Sequence, residues 1–138
     1  MPCIREQLHL IIQNMGVKAG DLVLYVPNQF TKQQPFPTLI SKRVNPIIIR
    51  HSISKIDTIW YSLPEGFALN GKHLNEKINS EFGTYLAETT SVEGKIKYIR
   101  NLTLNKGLYA SELYENLHDF YDKISAADNK KLALKKLN

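Results

Sequence analysis

The stretch covering residues 83–124 constrains the fold more than any other part of the sequence. Two runs rich in β-branched and aromatic residues flank Glu93-Gly94, a dipeptide typical of a tight hairpin turn. After a short break, apolar residues follow at i, i+4, i+7, i+8 and i+11, the spacing of one helix face: Leu113, Leu117, Phe120, Tyr121 and Ile124. The stretch predicts a β-hairpin followed by an amphipathic helix, and the rest of the chain must complete the layers around this unit.

The size and composition of the chain indicate one ordinary domain. At 138 residues, 43% of them hydrophobic, the sequence favours a single domain over residues 1–138 with a sizeable core. No apolar run approaches the roughly 20 residues that cross a bilayer, and polar residues interrupt the N-terminal apolar stretch, so we expect neither membrane association nor a signal peptide. The single cysteine, Cys3, has no partner for an internal disulfide. These features predict a cytoplasmic protein.

The formal charge of +5 is concentrated in one segment. Residues 22–56 contain no Asp or Glu but hold five basic residues: Lys32, Lys42, Arg43, Arg50 and Lys55. Such a segment is either a solvated face or a surface matched to an acidic stretch of a protein partner. A third interpretation, less favoured, is a nucleic-acid face on which Phe30, Phe36 and Trp60 would stack bases.

Apolar spacing predicts two further helices. An N-terminal helix over residues 3–16 would place Ile4, Leu8, Ile11, Ile12 and Met15 on one face, with Gly16 at its C-terminal cap. Another helix is expected over residues 70–81, from the spacing of Leu69, Leu74, Ile78 and Phe82. Residues 129–138 form either a continuation of the last helix or a frayed basic tail.

Between the first two helices the sequence favours β-structure. Strands are expected at residues 22–26, at the edge over 39–44, and at 47–53 and 58–63, the last two joined as a hairpin through residues 54–57. The segment 27–37 holds three prolines and predicts an extended loop. The predicted fold class is α+β: an antiparallel twisted sheet with three helices packed against it, in the order α-β-β-β-α-β-β-α.

No catalytic, metal or phosphate-binding motif stands out. The four histidines have no histidine, cysteine or carboxylate at a metal-ligand spacing, and no glycine-rich phosphate loop is present. Glu112 and Glu115 fall in the first turn of the last helix, where they complement its dipole. We therefore expect a protein that is not an enzyme and that uses no cofactor or metal.

The order of elements resembles the class I type III secretion chaperones of Gram-negative bacteria, the Tir-chaperone-like family. The resemblance is carried by the N-terminal amphipathic helix, the strand that ends in an apolar-Pro turn at residues 59–65, the short helix leading into residues 82–88, the strand closing on residues 102–104 and the last helix over residues 113–124. It implies a cytosolic homodimer without enzymatic activity. Such a protein keeps the N-terminal region of a secreted effector extended and secretion-competent, and presents it to the export apparatus, whose ATPase is a further expected partner.

The resemblance also implies two sets of site residues. We expect the effector-binding surface to include Ile4, Leu8, Ile11, Ile48 and Arg50, and the dimer interface to include Trp60, Leu74, Ile78 and Phe82. An effector segment would add a β-strand to an exposed sheet edge and place apolar side chains in neighbouring grooves. Two alternatives remain: a small basic nucleic-acid-binding domain, and an adaptor domain of the same fold with no secretion role.

Overall fold

The computed structural model describes residues 2–36 and 42–138, which contain ten β-strands and one α-helix. In chain order these are β1 (Val17–Ala19), β2 (Leu22–Tyr25), β3 (Ile47–Ile49), β4 (Ile53–Ser62), β5 (Phe67–Asn70), β6 (Asn75–Ser80), β7 (Gly83–Val92), β8 (Lys95–Leu104), β9 (Gly107–Tyr109), α1 (Tyr114–Asp128) and β10 (Leu132–Lys136). A short 3₁₀ turn, Ser111–Leu113, precedes the helix. The described chain contains no helix that is long and apolar enough to cross a membrane.

The larger sheet has the strand order β4-β8-β7-β6, and all its strands are antiparallel. Its centre is the predicted hairpin, β7 and β8, which is confirmed. Both turn residues have positive φ, 50° at Glu93 and 75° at Gly94. This is the type I′ geometry that matches the right-handed twist of two paired strands, and glycine adopts it without strain.

A second four-stranded sheet has shorter strands and the order β1-β2-β10-β5; we call it the smaller sheet. A separate two-stranded pair is formed by β3 and β9. Strand β10 lies in the interior of this sheet, paired with β2 on one side and with β5 on the other. The C-terminal residues therefore complete a sheet that begins near the N-terminus. In β10, the buried residues Leu132 and Leu134 alternate with half-buried or exposed neighbours, which is the period of a strand.

One hydrophobic core joins the two sheets and the helix. The inward residues of β8 are all buried: Ile96, Tyr98, Arg100, Leu102 and Leu104. The smaller sheet meets the inner face of the larger one through Tyr25 and Tyr61, whose ring centroids are 5.3 Å apart in an edge-on arrangement. Helix α1 contacts β6 and β7. Together the smaller sheet and the helix cover the inner face of the larger sheet, while its outer face is left to solvent.

Helix α1 confirms the last predicted helix, with Leu117, Phe120 and Ile124 buried. The three-helix fold class is wrong, because α1 is the one α-helix of the described chain and most of the remaining chain is antiparallel sheet. Residues 2–12 have no regular secondary structure, and Ile4 and Ile11 are 90% and 97% exposed. A helix of this length is marginal in water unless its apolar face packs on other residues. Of the predicted face, Met15 packs against the core, whereas Ile4, Leu8, Ile11 and Ile12 are exposed in the described chain.

The predicted helix over residues 70–81 is also wrong. Residues 75–80 form strand β6, which pairs with β7 along its whole length. Glu76, Ile78 and Ser80 are half-buried and alternate with exposed residues, a period of two rather than 3.6. The pairing gives this asparagine-rich, poor helix-forming segment backbone hydrogen bonds to β7 along one side.

Three smaller predictions also differ from the structure. Residues 53–62 form one continuous strand, so no hairpin turns at residues 54–57. Residues 129–138 neither extend the helix nor fray, because β10 fills the gap between β2 and β5. The predicted edge strand over residues 39–44 falls partly on residues 39–41, which lie outside the described residues, and residues 42–44 are irregular.

Candidate functional site

Strand β4 forms one edge of the larger sheet and is ten residues long. It pairs with β8 without interruption, from Ile53 opposite Leu104 to Ser62 opposite Lys95, so it carries no bulge. Within residues 2–36 and 42–138, every backbone-to-backbone hydrogen bond of β4 goes to β8. The other side of the strand therefore presents unpaired N–H and C=O groups.

The outer face of β4 is exposed and uncharged. Its residues are Ser54, Ile56, Thr58, Trp60 and Ser62. Ile56 is 68% exposed and Trp60 is 50% exposed. Proteins usually protect a long edge strand with proline, outward charges or a bulge, because an open edge recruits further strands. None of these devices is present on the outward face of β4.

Neighbouring strands extend this outer face. Ile56 lies opposite Asn101 of β8, Thr58 opposite Ile99, and Trp60 opposite Lys97. The ammonium group of Lys97 lies 5.1 Å from the centroid of the Trp60 ring, a cation–π contact that fixes the indole against the sheet. The exposed apolar surface therefore lies at the edge, on Ile56 and Trp60, and extends inward to half-buried Ile99 of β8.

A buried charge network anchors the inner side of β4. The Arg100 side chain donates from Nε to Oδ1 of Asp128 at 2.8 Å and from Nη2 to Oδ2 at 2.9 Å. Its Nη1 lies 3.5 Å from Oδ2 of Asp57 on β4. The Thr31 hydroxyl donates to the same Asp57 oxygen at 3.0 Å. These contacts fasten β4, the end of α1 and the loop after β2 to one another.

The Asp128 carboxylate is fully buried and receives three further hydrogen bonds. Oδ1 accepts from the Asn28 amide at 2.9 Å and from the Tyr85 hydroxyl at 2.7 Å, and Oδ2 accepts from the Gln33 backbone N–H at 2.8 Å. Burial by itself lowers the pKa of Arg100, but the hydrogen bonds and negative charge of Asp128 outweigh it and raise that pKa. The Arg100 guanidinium is therefore held charged, and hydrogen bonds occupy both oxygens of the Asp128 carboxylate, which suits a structural clamp rather than an acid or base.

Tyrosines surround the clamp. Burial raises the pKa of Tyr25 to about 12, since an ionised phenolate there would lose its hydration. Burial and the hydrogen bond to Asp128 raise the pKa of Tyr85 far above its ordinary value, and burial does the same to Tyr98. None of these phenols offers a base or a nucleophile near neutral pH.

A groove of about 500 Å³ lies between the loop after β2 and the start of β4. Its lining residues are Gln33, Gln34, Pro35, Phe36, Ile53, Lys55, Leu102, Leu104 and Tyr121. The lining is mainly apolar, and Lys55 and Tyr121 are its two ionisable groups. Among the described residues the lining holds no nucleophile with a neighbouring base, so its chemistry fits contact with an apolar side chain better than bond cleavage.

The residues predicted to bind an effector lie on two segments of the chain and are largely exposed where the structure gives their exposure. Ile4, Leu8 and Ile11 lie in the irregular N-terminal segment, where all three are exposed. Ile48 is 61% exposed in the middle of β3, and Arg50 follows that strand. The structure places these residues on two separate segments of the chain.

Of the residues predicted to form a dimer interface, Trp60 lies on the outer face of β4. Leu74 and Phe82 are buried in the core, at 8% and 0% exposure, and Ile78 is half-buried and packs against that core. These three side chains face the interior of one chain. Trp60 is the member of the set that a partner could contact.

Sequence reasoning missed two arrangements. His118 pairs with Asp122 one helical turn later, with Nδ1 3.2 Å from Oδ2, a pair that the sequence analysis did not identify. No group of three or more metal-ligating side chains occurs among the described residues, so this pair is not a metal centre. The Arg100–Asp128 clamp was also missed. Its signal was present, because Arg100 occupies an inward position in a strand whose other inward residues are apolar or aromatic.

The basic residues and aromatic rings of residues 22–56 do not make one stacking surface. Phe36 is half-buried and stacks on Tyr121, with centroids 5.0 Å apart at 13°. The Arg43 guanidinium lies 4.9 Å from the centroid of the Tyr114 ring and donates to the backbone carbonyl of Asn45. These groups are occupied within the chain, so the nucleic-acid hypothesis gains no specific support.

Comparison with known proteins places this geometry in a family. The model of a family described as a domain of unknown function with a solved structure, DUF3858, matches residues 21–134. A crystal structure of a protein from Parabacteroides distasonis, called a "putative protease", shares the fold over 83% of this chain, with a TM-score of 0.64 and 20% sequence identity. The chain spans 23% of that protein's chain. The search of curated proteins gave no match.

Proposed function

This chain belongs to the DUF3858 family, and from its exposed edge strand we propose that it is a non-enzymatic domain that binds another polypeptide along β4. The observation that carries the proposal is the long, unbulged edge whose outward face holds Ile56 and Trp60 and no charge. An added strand would satisfy the unpaired backbone groups, and its alternate side chains would contact the apolar surface.

The chemistry of the polar groups supports the proposed lack of catalytic activity. The clamp formed by Arg100 and Asp128 is closed to solvent, with relative side-chain exposures of 2% and 0%. The groove beside β4 is lined mainly by apolar and amide side chains, together with Lys55 and Tyr121. The Parabacteroides protein has the name of a protease, but this chain corresponds to less than a quarter of it. We therefore assign this chain a binding role, accessory to any catalytic unit.

The narrower hypothesis of a chaperone for a type III secreted effector stays a prediction. It was drawn from an order of three helices around a sheet, whereas the described residues form one α-helix, two four-stranded sheets and the β3–β9 pair. What carries over is its mode of recognition, the addition of a strand to a sheet edge, which is the part retained in the proposal. Among the functions suggested by the sequence, an adaptor role is the one most similar to this proposal.

A labelled strand peptide tests the proposal directly. The probe is a fluorescein-labelled peptide with the sequence of residues 53–62, extended by lysines for solubility, and binding is followed by anisotropy. Hydrogen–deuterium exchange then locates it: amides of β4 should exchange more slowly with peptide present, while those of the other edge strand, β6, should not change. A scrambled peptide of the same composition is the control. Protection confined to a surface other than β4, or no protection at all, would refute the proposal.

A protease assay tests the non-enzymatic part. The purified chain should hydrolyse fluorescein-labelled casein no faster than buffer does. Hydrolysis that co-elutes with the chain through two different columns and persists at constant specific activity would overturn this part of the proposal.

A further inference from the structure

We propose that the strand added to β4 is β4 of a second copy of this chain. The two copies are related by a two-fold axis that passes between their Thr58 residues. This inference rests on the proposed function and names its partner. The β4-β8-β7-β6 sheet of one copy would then join the same sheet of the other copy. Since each has four strands, they would form one continuous antiparallel sheet of eight strands. A two-fold pairing uses the same surface on both copies, so one open edge is sufficient.

The alternation of a strand restricts the position of the axis. Directly opposite residues of an antiparallel pair lie on the same face of the sheet. If the axis fell between two successive residues, each outer-face residue of one copy would lie opposite an inner-face residue of the other. The axis must therefore lie at the level of one residue, which is then opposite its own copy. Thr58 lies near the middle of β4 and is exposed on the uncharged outer face.

The axis at Thr58 gives a self-complementary set of contacts. It places Ile56 of each copy opposite Trp60 of the other, an aromatic–β-branched pair of the kind that stabilises sheets. Ser54 then lies opposite Ser62, and Thr58 opposite its own copy. On this outer face no two like charges are opposed. Residues 54–62 of both copies take part, which is almost the whole strand.

The neighbouring positions of the axis fit less well. An axis at Asp57 would place the two Asp57 carboxylates directly opposite each other. An axis at Ile56 would oppose Lys55 to Asp57, but that carboxylate already contacts Arg100 and the Thr31 hydroxyl. It would also leave Trp60 opposite Ser52, which lies outside the strand.

The charges of β4 do not oppose the pairing at Thr58. Asp57 and Lys55 both point to the inner face, and Asp57 lies 3.5 Å from the Arg100 guanidinium. Lys97 lies over Trp60, on the side of the indole that faces β8 rather than the open edge. The contact area of one strand pair with two aromatic anchors is small, so we expect a weak dimer, with a dissociation constant of about 1–100 µM.

A charge substitution on the axis provides the first experiment. In Thr58→Lys two ammonium groups would be directly opposed, which should raise the dimer dissociation constant at least about tenfold. Sedimentation equilibrium of the full chain measures it. The matched control is Asn79→Lys, an exposed position on the other edge strand, β6. It should leave the constant unchanged.

Disulfide trapping defines the register. In a Cys3→Ser background, Thr58→Cys should form a covalent dimer on mild oxidation, because only a residue on the axis meets its own copy. Ile56→Cys and Asn79→Cys should stay monomeric under the same conditions. Trapping through Ile56→Cys but not through Thr58→Cys would overturn the proposed axis.

The peptide experiment separates this inference from the function on which it rests. A chain that stays monomeric in the range of about 100 µM and gives no trapped dimer overturns the inference. If that monomer still binds the strand peptide at β4, the proposed function stands. If it binds no peptide at β4, both fail.

Discussion

Replacing Arg100 by methionine should destabilise the protein strongly. Arg100 is 1% exposed, and its guanidinium is the only cationic group bonded to the fully buried Asp128 carboxylate in the described chain. Methionine has a similar length and leaves little empty space, so the effect reports on charge rather than on a cavity. The substitution leaves a buried carboxylate without its counter-ion.

Removing one partner of a buried ion pair typically costs about 3–5 kcal/mol. Here Asn28, Tyr85 and the Gln33 backbone still donate to Asp128, which partly stabilises the remaining charge. We therefore expect the lower part of that range, about 3 kcal/mol. Domains of this size have a total free energy of unfolding of about 5–15 kcal/mol, so the loss would be a large fraction of it.

A double-mutant cycle measured by urea denaturation tests the reasoning. Arg100→Met leaves the buried Asp128 carboxylate without its cation, and Asp128→Asn leaves Arg100 with only the more distant Asp57 carboxylate among the described residues, whereas the double variant removes both fully buried charges. The double variant should therefore be more stable than the sum of the two losses implies, by about 1–3 kcal/mol. Lys123→Met is the control, since Lys123 and Asp119 form an exposed pair at 2.8 Å and such pairs contribute about 0–1 kcal/mol. Strict additivity in the cycle, or a loss for Arg100→Met no larger than that for Lys123→Met, would refute the clamp.

Three further predictions concern the core. Gly83→Ala should give little folded protein by circular dichroism, because a Cβ there would lie 1.9 Å from the Thr103 carbonyl oxygen; Gly66→Ala, where the space is open, should cost only about 1–3 kcal/mol for its positive φ. Phe120→Ala removes a ring that is 2% exposed and should cost about 3–5 kcal/mol in urea denaturation; a loss below about 1 kcal/mol would contradict its place in the core. The pKa of Tyr25 is raised to about 12, so the folded protein keeps a proton that the unfolded chain loses near pH 10. The contribution of Tyr25 to stability is therefore full below pH 10 and falls as the pH rises towards 12. The loss is up to about 1.4 kcal/mol per pH unit for this residue. Constant stability across that window, with tyrosine ionisation followed at 295 nm, would contradict the burial.

The proposed site shows which features of a binding surface can be predicted from the sequence. Trp60 was identified from the sequence as a candidate interface residue, and the structure places it on an exposed face at 50% exposure. The open edge beside it could not be identified, because whether a strand is central or at the edge depends on the order of strands in the sheet. That order puts β4 next to β8, which follows it in the chain by more than thirty residues, and leaves its other side open.

The sequence by itself determined the β7–β8 hairpin and helix α1. Both depend on neighbours in the chain: Glu93-Gly94 selects the turn, and the spacing from Leu117 to Ile124 selects the helix face. Only the tertiary structure decided the state of residues 2–12, 75–80 and 132–136. Their local patterns were compatible with more than one conformation. Pairing with distant strands decided residues 132–136, pairing with the adjacent strand β7 decided residues 75–80, and residues 2–12 gained no strand or helix partner among the described residues. The same holds for Arg100 and Asp128, since the free energy of a buried charge is set by whether its counter-ion arrives from another element of the fold.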